Sequence, residues 1–419
     1  MSDEENQWKD RSTPHWHLYQ RQNLINAANG QLPPFNTDPT KLEREARAKL
    51  SQNGWFYASS NAGQSHTHHA NRAAFARHRI LPRTLVGTNR RETRTEIFGR
   101  SIPAPICFAP IGINEIYHAQ AELAVARVAG RLGLPYCLST AGSRPVESVG
   151  EANGEEGVRW FQLYMPHDDE LTMSLLKRAW GAGFDVLILT TDTWQLGWRH
   201  DDIATGNYAF YHGRGASLGF TDPVFQRRLK EAGIDPETDP KAAAQKWIDT
   251  IWHGRSHNWE KVKWVLQQWK TLTNGKPFVI KGIQDARDAE MAVEVGCDGV
   301  VVSNHAGRQI DGAVASLDAL EGVVAAVGGR TTVLFDSGVR SGSDVFKALA
   351  LGAKAVLVGR LWVWGLSIQG EVGVEHVMRS LLAEFDLTME LAGCNRIEDI
   401  RRDRVRTVEE MDGKQKAKL

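Results

Sequence analysis

The chain has no net charge: Lys plus Arg and Asp plus Glu are each 50 in 419 residues. Without a basic field there is no electrostatic case for nucleic acid or an anionic membrane surface, and a small molecule is the expected partner. No apolar run approaches bilayer-spanning length, and Met1 to Arg11 is polar and acidic, without the apolar core of a signal peptide. An intracellular location is therefore expected. Cysteine is scarce: Cys107, Cys137, Cys297 and Cys394 are scattered, and no Cys-x-x-Cys pair exists. Neither zinc nor redox chemistry is signalled, no metal site is expected, and buried free thiols are the ordinary outcome. No Gly-x-Gly-x-x-Gly follows the first strand and no Walker loop occurs, which argues against a nicotinamide-binding Rossmann domain and a P-loop.

With 42% hydrophobic and 24% charged residues, the chain can bury one large core or two ordinary ones. The first hundred residues lack a clear period. They contain Leu32-Pro33-Pro34-Phe35, a helical segment around Lys41 to Leu50, Trp55-Phe56-Tyr57-Ala58, and a patch with His66, His68 and His69. That patch reads as a solvated loop or helix start rather than a metal site, because no carboxylates flank it. Leu81 to Ile102 reads as a short hairpin leading into the main body.

From Pro105 short apolar runs alternate with helix-length amphipathic ones. The runs are Ile106 to Ala109, Tyr136 to Ser139, Trp160 to Tyr164, Val186 to Thr190, Phe278 to Ile283, Val300 to Ser303, Val333 to Phe335 and Ala355 to Val358. Helices are expected over Gln120 to Leu132, Glu170 to Ala182, Trp259 to Leu272, Asp285 to Val295, Leu317 to Val327 and Ser343 to Leu351. Strands alternating with helices imply a parallel sheet, and eight repeats fit a closed (β/α)8 TIM barrel better than an open doubly wound sheet. The expected organisation is an N-terminal helical and hairpin extension over 1–104, a barrel over 105–395, and a C-terminal tail over 396–419. A long interruption over 194–258, leaving the fourth strand at its C-terminal end, reads as a lid, with a merely tolerated surface insertion as the alternative.

The stretch Val300 to Gly312 organises the rest. Its β-branched run stops at Ser303, Asn304 and His305, with Arg308 three positions on, so proton transfer beside a bound anion is expected there; a polar turn is the bland alternative. In a barrel the other strand ends meet this one at the C-terminal rim. They carry Ala109-Pro110-Ile111-Gly112, Ser139-Thr140, Gln162-Leu163-Tyr164, Thr190-Thr191-Asp192, Lys281-Gly282, Asp336-Ser337-Gly338-Val339-Arg340 and Gly359-Arg360. Each polar residue has a structural reading, such as Asp192 capping or Lys281 reaching solvent. Taken together those readings demand a coincidence on eight strands. Gly338, Gly342, Gly359 and Arg360, with amide hydrogens of the helix near Ser343, fit a phosphate seat after strands seven and eight.

Ser303 to Gln309, Lys281-Gly282-Ile283, Asp336 to Arg340, Gln162-Leu163-Tyr164 and Thr190 to Thr193 together resemble the FMN-dependent 2-hydroxy-acid oxidase and dehydrogenase family over about Trp55 to Ala392. Within it, Asp192-Thr193-Trp194, Gly197-Trp198-Arg199 and Thr221 to Phe225 inside a long insert are most similar to the lactate 2-monooxygenase type. The resemblance implies FMN as cofactor, a small 2-hydroxy acid and O2 as partners, and a homo-oligomer, commonly a tetramer or octamer. It implies His305 as the base, with hydride or its equivalent passing to flavin N5, and Asp192 orienting His305. Arg199 and Arg308 would grip the substrate carboxylate and Tyr164 its hydroxyl. Lys281 would lie at the flavin pyrimidine edge. Ala109, Pro110, Ile111, Ser139, Gln162, Thr190 and Ser303 would line the ring, and Asp336, Gly338, Arg340, Gly359 and Arg360 would hold ribityl and phosphate.

Three departures stand out. Ala306 replaces a usual Gly beside the base, Leu361 replaces a common Pro, and Phe56 stands where a substrate-binding Tyr is expected. The resemblance supports an L-2-hydroxy-acid oxidase or monooxygenase. The alternatives are a flavin-binding protein without turnover, a dehydrogenase with another acceptor, and a phosphosugar barrel without flavin. Ala417-Lys418-Leu419 resembles a peroxisomal address, with a frayed tail as the alternative.

Overall fold

The computed structural model describes residues 11–206 and 209–416. Eight parallel strands close on themselves: β1 (Ile106–Phe108), β2 (Tyr136–Ser139), β3 (Arg159–Leu163), β4 (Val186–Thr190), β5 (Phe278–Ile283), β6 (Gly299–Val302), β7 (Thr332–Phe335) and β8 (Ala355–Val358). Neighbours in sequence are neighbours in the barrel, and β8 returns to pair with β1. Each strand is buried on both faces, which is why the runs read as continuous apolar stretches. The two-residue period divides them. Cys107, Cys137, Trp160, Ile188, Val279, Val301, Leu334 and Leu357 form the barrel interior, while the alternate residues join the larger core under the helices.

Helices Ala121–Leu132, Asp169–Gly181, Trp259–Thr273, Ala286–Glu294, Ser316–Val327 and Gly342–Ala350 lie between strands, within about a residue of the expected bounds. Several begin on side-chain caps: Asp168, Asn258, Asp285 and Ser341 each accept a hydrogen bond from an amide of their own first turn. All four cysteines are free and buried. Among the described residues, no helix is long and apolar enough to cross a membrane.

The hairpin expected over 81–102 is narrower, Thr95–Ile97 paired with Arg100–Ile102. Its Ile97 and Ile102 join the interior core and Phe98 packs edge-on against Trp160, 5.8 Å between centroids, so it plugs one end of the barrel. His78–Ile80 instead pairs with Val405–Thr407. The remaining N-terminal chain is helical: Leu18–Ala28, Pro39–Lys49, Gln52–Ser59 and His66–Arg77. The histidine patch is the start of the last of these. That helix has no cap of its own; Asp311, from the loop after β6, accepts from the amides of Gln64 (2.7 Å) and Thr67 (3.3 Å). A buried carboxylate, Asp386, fastens the chain's beginning to the body through Arg11 (2.9 Å) and Arg91 (2.6 Å).

The 194–258 stretch is not an irregular loop. It folds into His200–Ala204, Ala209–His212, Ser217–Phe220, Pro223–Glu231 and Pro240–Ile251, with a small core in which Phe225 meets Trp247 at 5.0 Å. His200–Ala204, Ala209–His212 and Ser217–Phe220 are too short to carry a period, whereas Pro223–Glu231 and Pro240–Ile251 each bury one apolar face, so helix is legible there even though the stretch as a whole reads as loop.

Candidate active site

The sequence after β6 makes a turn that L-residues resist. His305, Ala306 and Gly307 have φ of 56°, 57° and 78°. Backbone and side-chain bonds hold this turn from several sides. The amides of His305 and Ala306 donate to Ser303 Oγ (3.1 Å) and Ser337 Oγ (2.9 Å). Asn304 exchanges two bonds with Asn71 of the N-terminal helix, at 2.9 and 2.8 Å. A Cβ at Gly307 would stand 2.6 Å from the His68 backbone nitrogen, so the helix approaches only because that position is glycine.

The strained turn presents His305 to Asp192, at the end of β4. His305 Nδ1 lies 2.8 Å from Asp192 Oδ1, and Thr193 Oγ donates to the same oxygen at 2.6 Å. An ionised Asp192 accepts the Nδ1 hydrogen, which leaves the lone pair on Nε2. Burial and the nearby Lys281 hold His305 below its ordinary pKa, outweighing Asp192. Burial alone would raise the Asp192 carboxyl; His305 and Lys281 instead hold it well below the usual range. The pair is thus a neutral imidazole beside a carboxylate. Asp192 packs this close to β5 because the strand bulges at Gly282 (φ 110°), where a Cβ would meet Asp192 Cβ at 2.9 Å.

Lys281 itself is buried, donates to Ser303 Oγ at 2.9 Å and pairs with Asp336 at 3.2 Å. Burial opposes its charge, but Asp336 and Asp192 raise its pKa.

His305, Lys281, Tyr164, Arg199 and Arg308 all face one open-mouthed cavity. Its wall also contains Ala109, Pro110, Ile111, Ser139, Asp336, Gly338, Arg340, Gly359 and Arg360. Gln162, Thr190 and Ser303 do not reach the wall. They lie beneath it, Gln162 bonding Ser139 Oγ and Thr190 Oγ at 3.0 Å each, so in this structure they support the floor. Arg308 is anchored on the carbonyls of Tyr57 (2.8 Å) and Ser60 (2.9 Å), and Arg199 on Arg308 O (3.2 Å) and Gln309 (3.0 Å).

Two expectations need correction. Phe56 is not in the wall; Tyr57 is, so the aromatic position that meets the cavity falls one residue later than expected and carries a phenol. The helix after β7 does not offer its amides to an anion. Gly342 N donates to Glu384 and Asp344 N to Ser341 Oγ, and neither Gly342 nor Ser343 reaches the wall. Residues missed by sequence reasoning come from outside the barrel, Tyr57 and Ala58 from the N-terminal helices and Leu196 and Trp252 from the two ends of the insert, and also from the barrel's own loops and helices, Tyr117, Ala141 and Val363 among them. Tyr57 and Ala58 lie in the Trp55 to Ala58 string and Leu196 and Trp252 in the 194–258 stretch, but nothing in the sequence marks them as cavity wall.

A closed parallel barrel whose rim gathers an imidazole–carboxylate pair, two arginines and a buried lysine defines a barrel enzyme acting on a small acid. The chain belongs to the FMN-dependent dehydrogenase family, whose model matches residues 46–407. It is 45% identical over 378 residues to an FMN-dependent alpha-hydroxy acid dehydrogenase of Penicillium citrinum, covering 90% of this chain and 92% of that one. To an L-lactate oxidase of Lysinibacillus sphaericus it is 38% identical over 368 residues, covering 88% and 92%. A crystal structure of mandelate oxidase superposes with a TM-score of 0.76 at 34% identity, covering 89% of this chain and 98% of that one. The protein is accordingly an FMN-dependent alpha-hydroxy acid oxidoreductase.

The residues present fit the cofactor. Arg340 and Arg360 line the cavity, and neither is in a carboxylate ion pair among the described residues. Burial pulls the Arg340 pKa down to about 10 and lowers that of Arg360 well below its ordinary value. Two guanidinium groups, Arg360 buried and Arg340 partly so, neither in an ion pair with a carboxylate among the described residues, are an arrangement that a phosphate completes.

Proposed function

We propose that the chain oxidises a lactate-like L-2-hydroxy acid to its 2-oxo acid with O2 as acceptor, using His305 as the base. When bound, FMN supplies the acceptor for the electron pair leaving the substrate's α-carbon. His305 Nε2 takes the hydroxyl proton, and ionised Asp192 stabilises the resulting imidazolium. Arg199 and Arg308 grip the carboxylate; their anchoring on neighbouring carbonyls fixes their orientation before substrate arrives. Burial raises the Tyr164 and Tyr57 pKa values, so both phenols stay protonated and donate to substrate oxygens. Lys281 keeps a positive charge where the cofactor's ring is expected. Asp336, Gly338, Arg340, Gly359 and Arg360 would hold ribityl and phosphate, and Ala109, Pro110, Ile111 and Ser139 the ring, over a floor of Gln162, Thr190 and Ser303.

In this reading 105–395 is the FMN-binding barrel, 1–104 an extension that completes its mouth, 194–258 a lid, and 396–419 a tail. Leu196 and Trp252 roof the cavity and restrict product escape. Retained oxo acid and peroxide would react to a decarboxylated acid, CO2 and water, the lactate 2-monooxygenase outcome. The relatives named above are a dehydrogenase and two oxidases, so this outcome rests on the insert. The peroxisomal address would favour a simple oxidase; Ala417, Lys418 and Leu419 lie outside the described residues. Assembly as a tetramer or octamer is part of the same proposal, and light scattering tests it.

The observation that carries the reading is the His305–Asp192 bond in one cavity wall with Arg199, Arg308 and Lys281. The test is a panel of 2-hydroxy acids added to the yellow protein without oxygen. Bleaching is expected with L-lactate or a near homologue, and no bleaching by any acid would leave a flavin-binding protein without turnover. Air then separates the outcomes. Acetate and CO2 with little peroxide identify the monooxygenase, pyruvate with stoichiometric peroxide the oxidase, and reoxidation only by an added acceptor the dehydrogenase.

A further inference from the structure

Outside this cavity, one cluster of chemistry-bearing side chains has no part in the reaction. His167, in the loop after β3, stands against His253 and His257, in the link between helices Pro240–Ile251 and Trp259–Thr273. The ring centroids of His167 lie 4.1 Å from each of the other two. One ring nitrogen from each residue lies within 4.8 Å of the other two, and all three side chains are half-buried. This is the one three-residue group of this kind among the described residues; the His66, His68 and His69 patch is not one.

The hydrogen bonds fix which nitrogens are available. His257 Nε2 faces Met165 O at 3.0 Å and His167 Nε2 faces Arg255 O at 3.2 Å. A carbonyl accepts only, so both Nε2 atoms carry hydrogen and both lone pairs sit on Nδ1. An N–H held on a backbone carbonyl with the other nitrogen free is the posture of a metal-bound histidine. His253 differs: its Nδ1 accepts from the Arg255 amide at 3.1 Å, and its Nε2 is 3.5 Å from Met165 O. Coordination through its Nδ1 exchanges that single amide bond for a metal bond. Three nitrogens at tetrahedral zinc distances stand about 3.3 Å apart, so the three rings draw together when the ion binds.

We propose that His167, His253 and His257 bind a late first-row divalent cation, with Zn2+ the expected occupant, and that this ion clasps the insert onto the barrel. Three imidazoles with no thiolate suit zinc and leave one position for water. The place is informative. The ion would join the loop after β3, which follows Tyr164, to the link that begins just after Trp252. Tyr164 and Trp252 both line the active-site cavity, their rings 5.2 Å apart, and Trp194, at the insert's other end, packs on His257 at 5.1 Å. Gly254 N also donates to Trp194 O at 2.9 Å, so both ends of the insert meet at the cluster. Fixing the three rings therefore fixes both ends of the insert and the Trp252 side of the roof. In the sequence only the His253-x3-His257 pair carries metal-ligand spacing, and the third ligand, His167, lies far upstream of it.

The test uses tag-free, full-length, FMN-loaded protein stripped with a chelator and dialysed against Zn2+. One Zn2+ per chain is expected, with affinity at least roughly tenfold weaker in His167→Gln and in His257→Gln. Retention of the yellow flavin shows that each variant folds. Co2+ in place of Zn2+ is expected to give d–d absorption to the red of the flavin bands, lost in the same variants. Absence of stoichiometric Zn2+, or binding undiminished in both variants, overturns the site. Limited proteolysis tests the clasp separately: cleavage within 194–258 slows several-fold with Zn2+ in the parent protein and not in the variants. Zinc binding with unchanged cleavage overturns the clasp.

Discussion

The barrel rim and the segments outside the barrel divide the labour of one cavity. The rim carries the ionisable groups Lys281, His305, Asp192, Asp336, Arg340 and Arg360, each at or just beyond a strand end whose backbone the closed sheet holds. The N-terminal helices and the insert add Tyr57, Ala58, Leu196, Arg199 and Trp252, which shape the opposite wall. The difference teaches that, Arg199 apart, charge is set where the scaffold is stiffest, and shape and access where chain can be added without disturbing the sheet. The comparison breaks if a rim substitution acts chiefly on stability, or an outer one chiefly on proton transfer.

The largest effect is expected at the base. His305→Gln should lower the rate of anaerobic flavin reduction by about 10³-fold or more while the protein stays yellow, because the cavity loses its proton acceptor and little packing. Stopped-flow absorbance measures it. A loss of flavin in place of a loss of rate would show that His305 holds the fold of the rim.

Outside the barrel the matching test is Asp386, which pairs with Arg11 and Arg91 at under 3 Å and is fully buried. Asp386→Asn leaves two buried guanidinium groups short of charge and should cost about 3 to 5 kcal/mol of stability. Urea denaturation followed by circular dichroism checks this, and turnover per folded molecule should change little. The carboxyl is held well below its ordinary range, since His17, Arg11 and Arg91 outweigh burial. Its stabilising contribution is therefore complete above the unfolded carboxylate pKa and fades as pH falls below it.

These two residues also mark what the sequence could reveal. The strands are legible to within about a residue because each is a short, doubly buried apolar run, and a change from grease to polar residues marks each rim position. Asp386 is invisible in that sense: its partners lie hundreds of residues away, and a lone carboxylate in a helix reads as solvated. One N-terminal helix hides for a related reason. Leu18–Ala28 has no buried residue, so no apolar stripe marks it, whereas Pro39–Lys49, which buries Leu42 and Ala46, is legible as the helical segment around Lys41 to Leu50. Tyr57 shows the limit of motif reading, where a shift of one residue exchanges a phenol for a phenyl ring.

That shift is itself testable. Tyr57→Phe removes the hydroxyl that faces the cavity and should reduce kcat/KM by about 5- to 100-fold, corresponding to about 1 to 3 kcal/mol. Phe56→Leu, outside the wall, should stay within about twofold. A reversal of the two would restore the original register. The pH profile separates the same two regions. Because burial lowers the His305 pKa from 6.5, kcat/KM should be flat above that value and fall only as the pH drops through the lowered pKa, where the base gains a proton. Tyr57→Phe should shift the whole profile down without moving this acid limb, whereas Asp192→Asn should move it.

The smallest effect lies at the junction of the two regions, in the turn that the Asn71–Asn304 exchange fastens to the N-terminal helix. Ala306 sits at φ 57°, ψ 31°, a left-handed conformation that costs an L-residue about 1 to 2 kcal/mol. Glycine removes that cost but frees the unfolded chain, which returns about 0.4 to 1 kcal/mol of the gain. The net expectation for Ala306→Gly is therefore a stabilisation of about 0.5 to 1 kcal/mol, read as a higher denaturant midpoint at unchanged m. A lower midpoint would show that the methyl group's contacts outweigh the strain. Because Ala306 also lines the cavity, the same variant reports on access: a fall in KM for bulkier hydroxy acids with kcat unchanged places the methyl in the substrate's path, and equal KM values leave it a purely conformational feature.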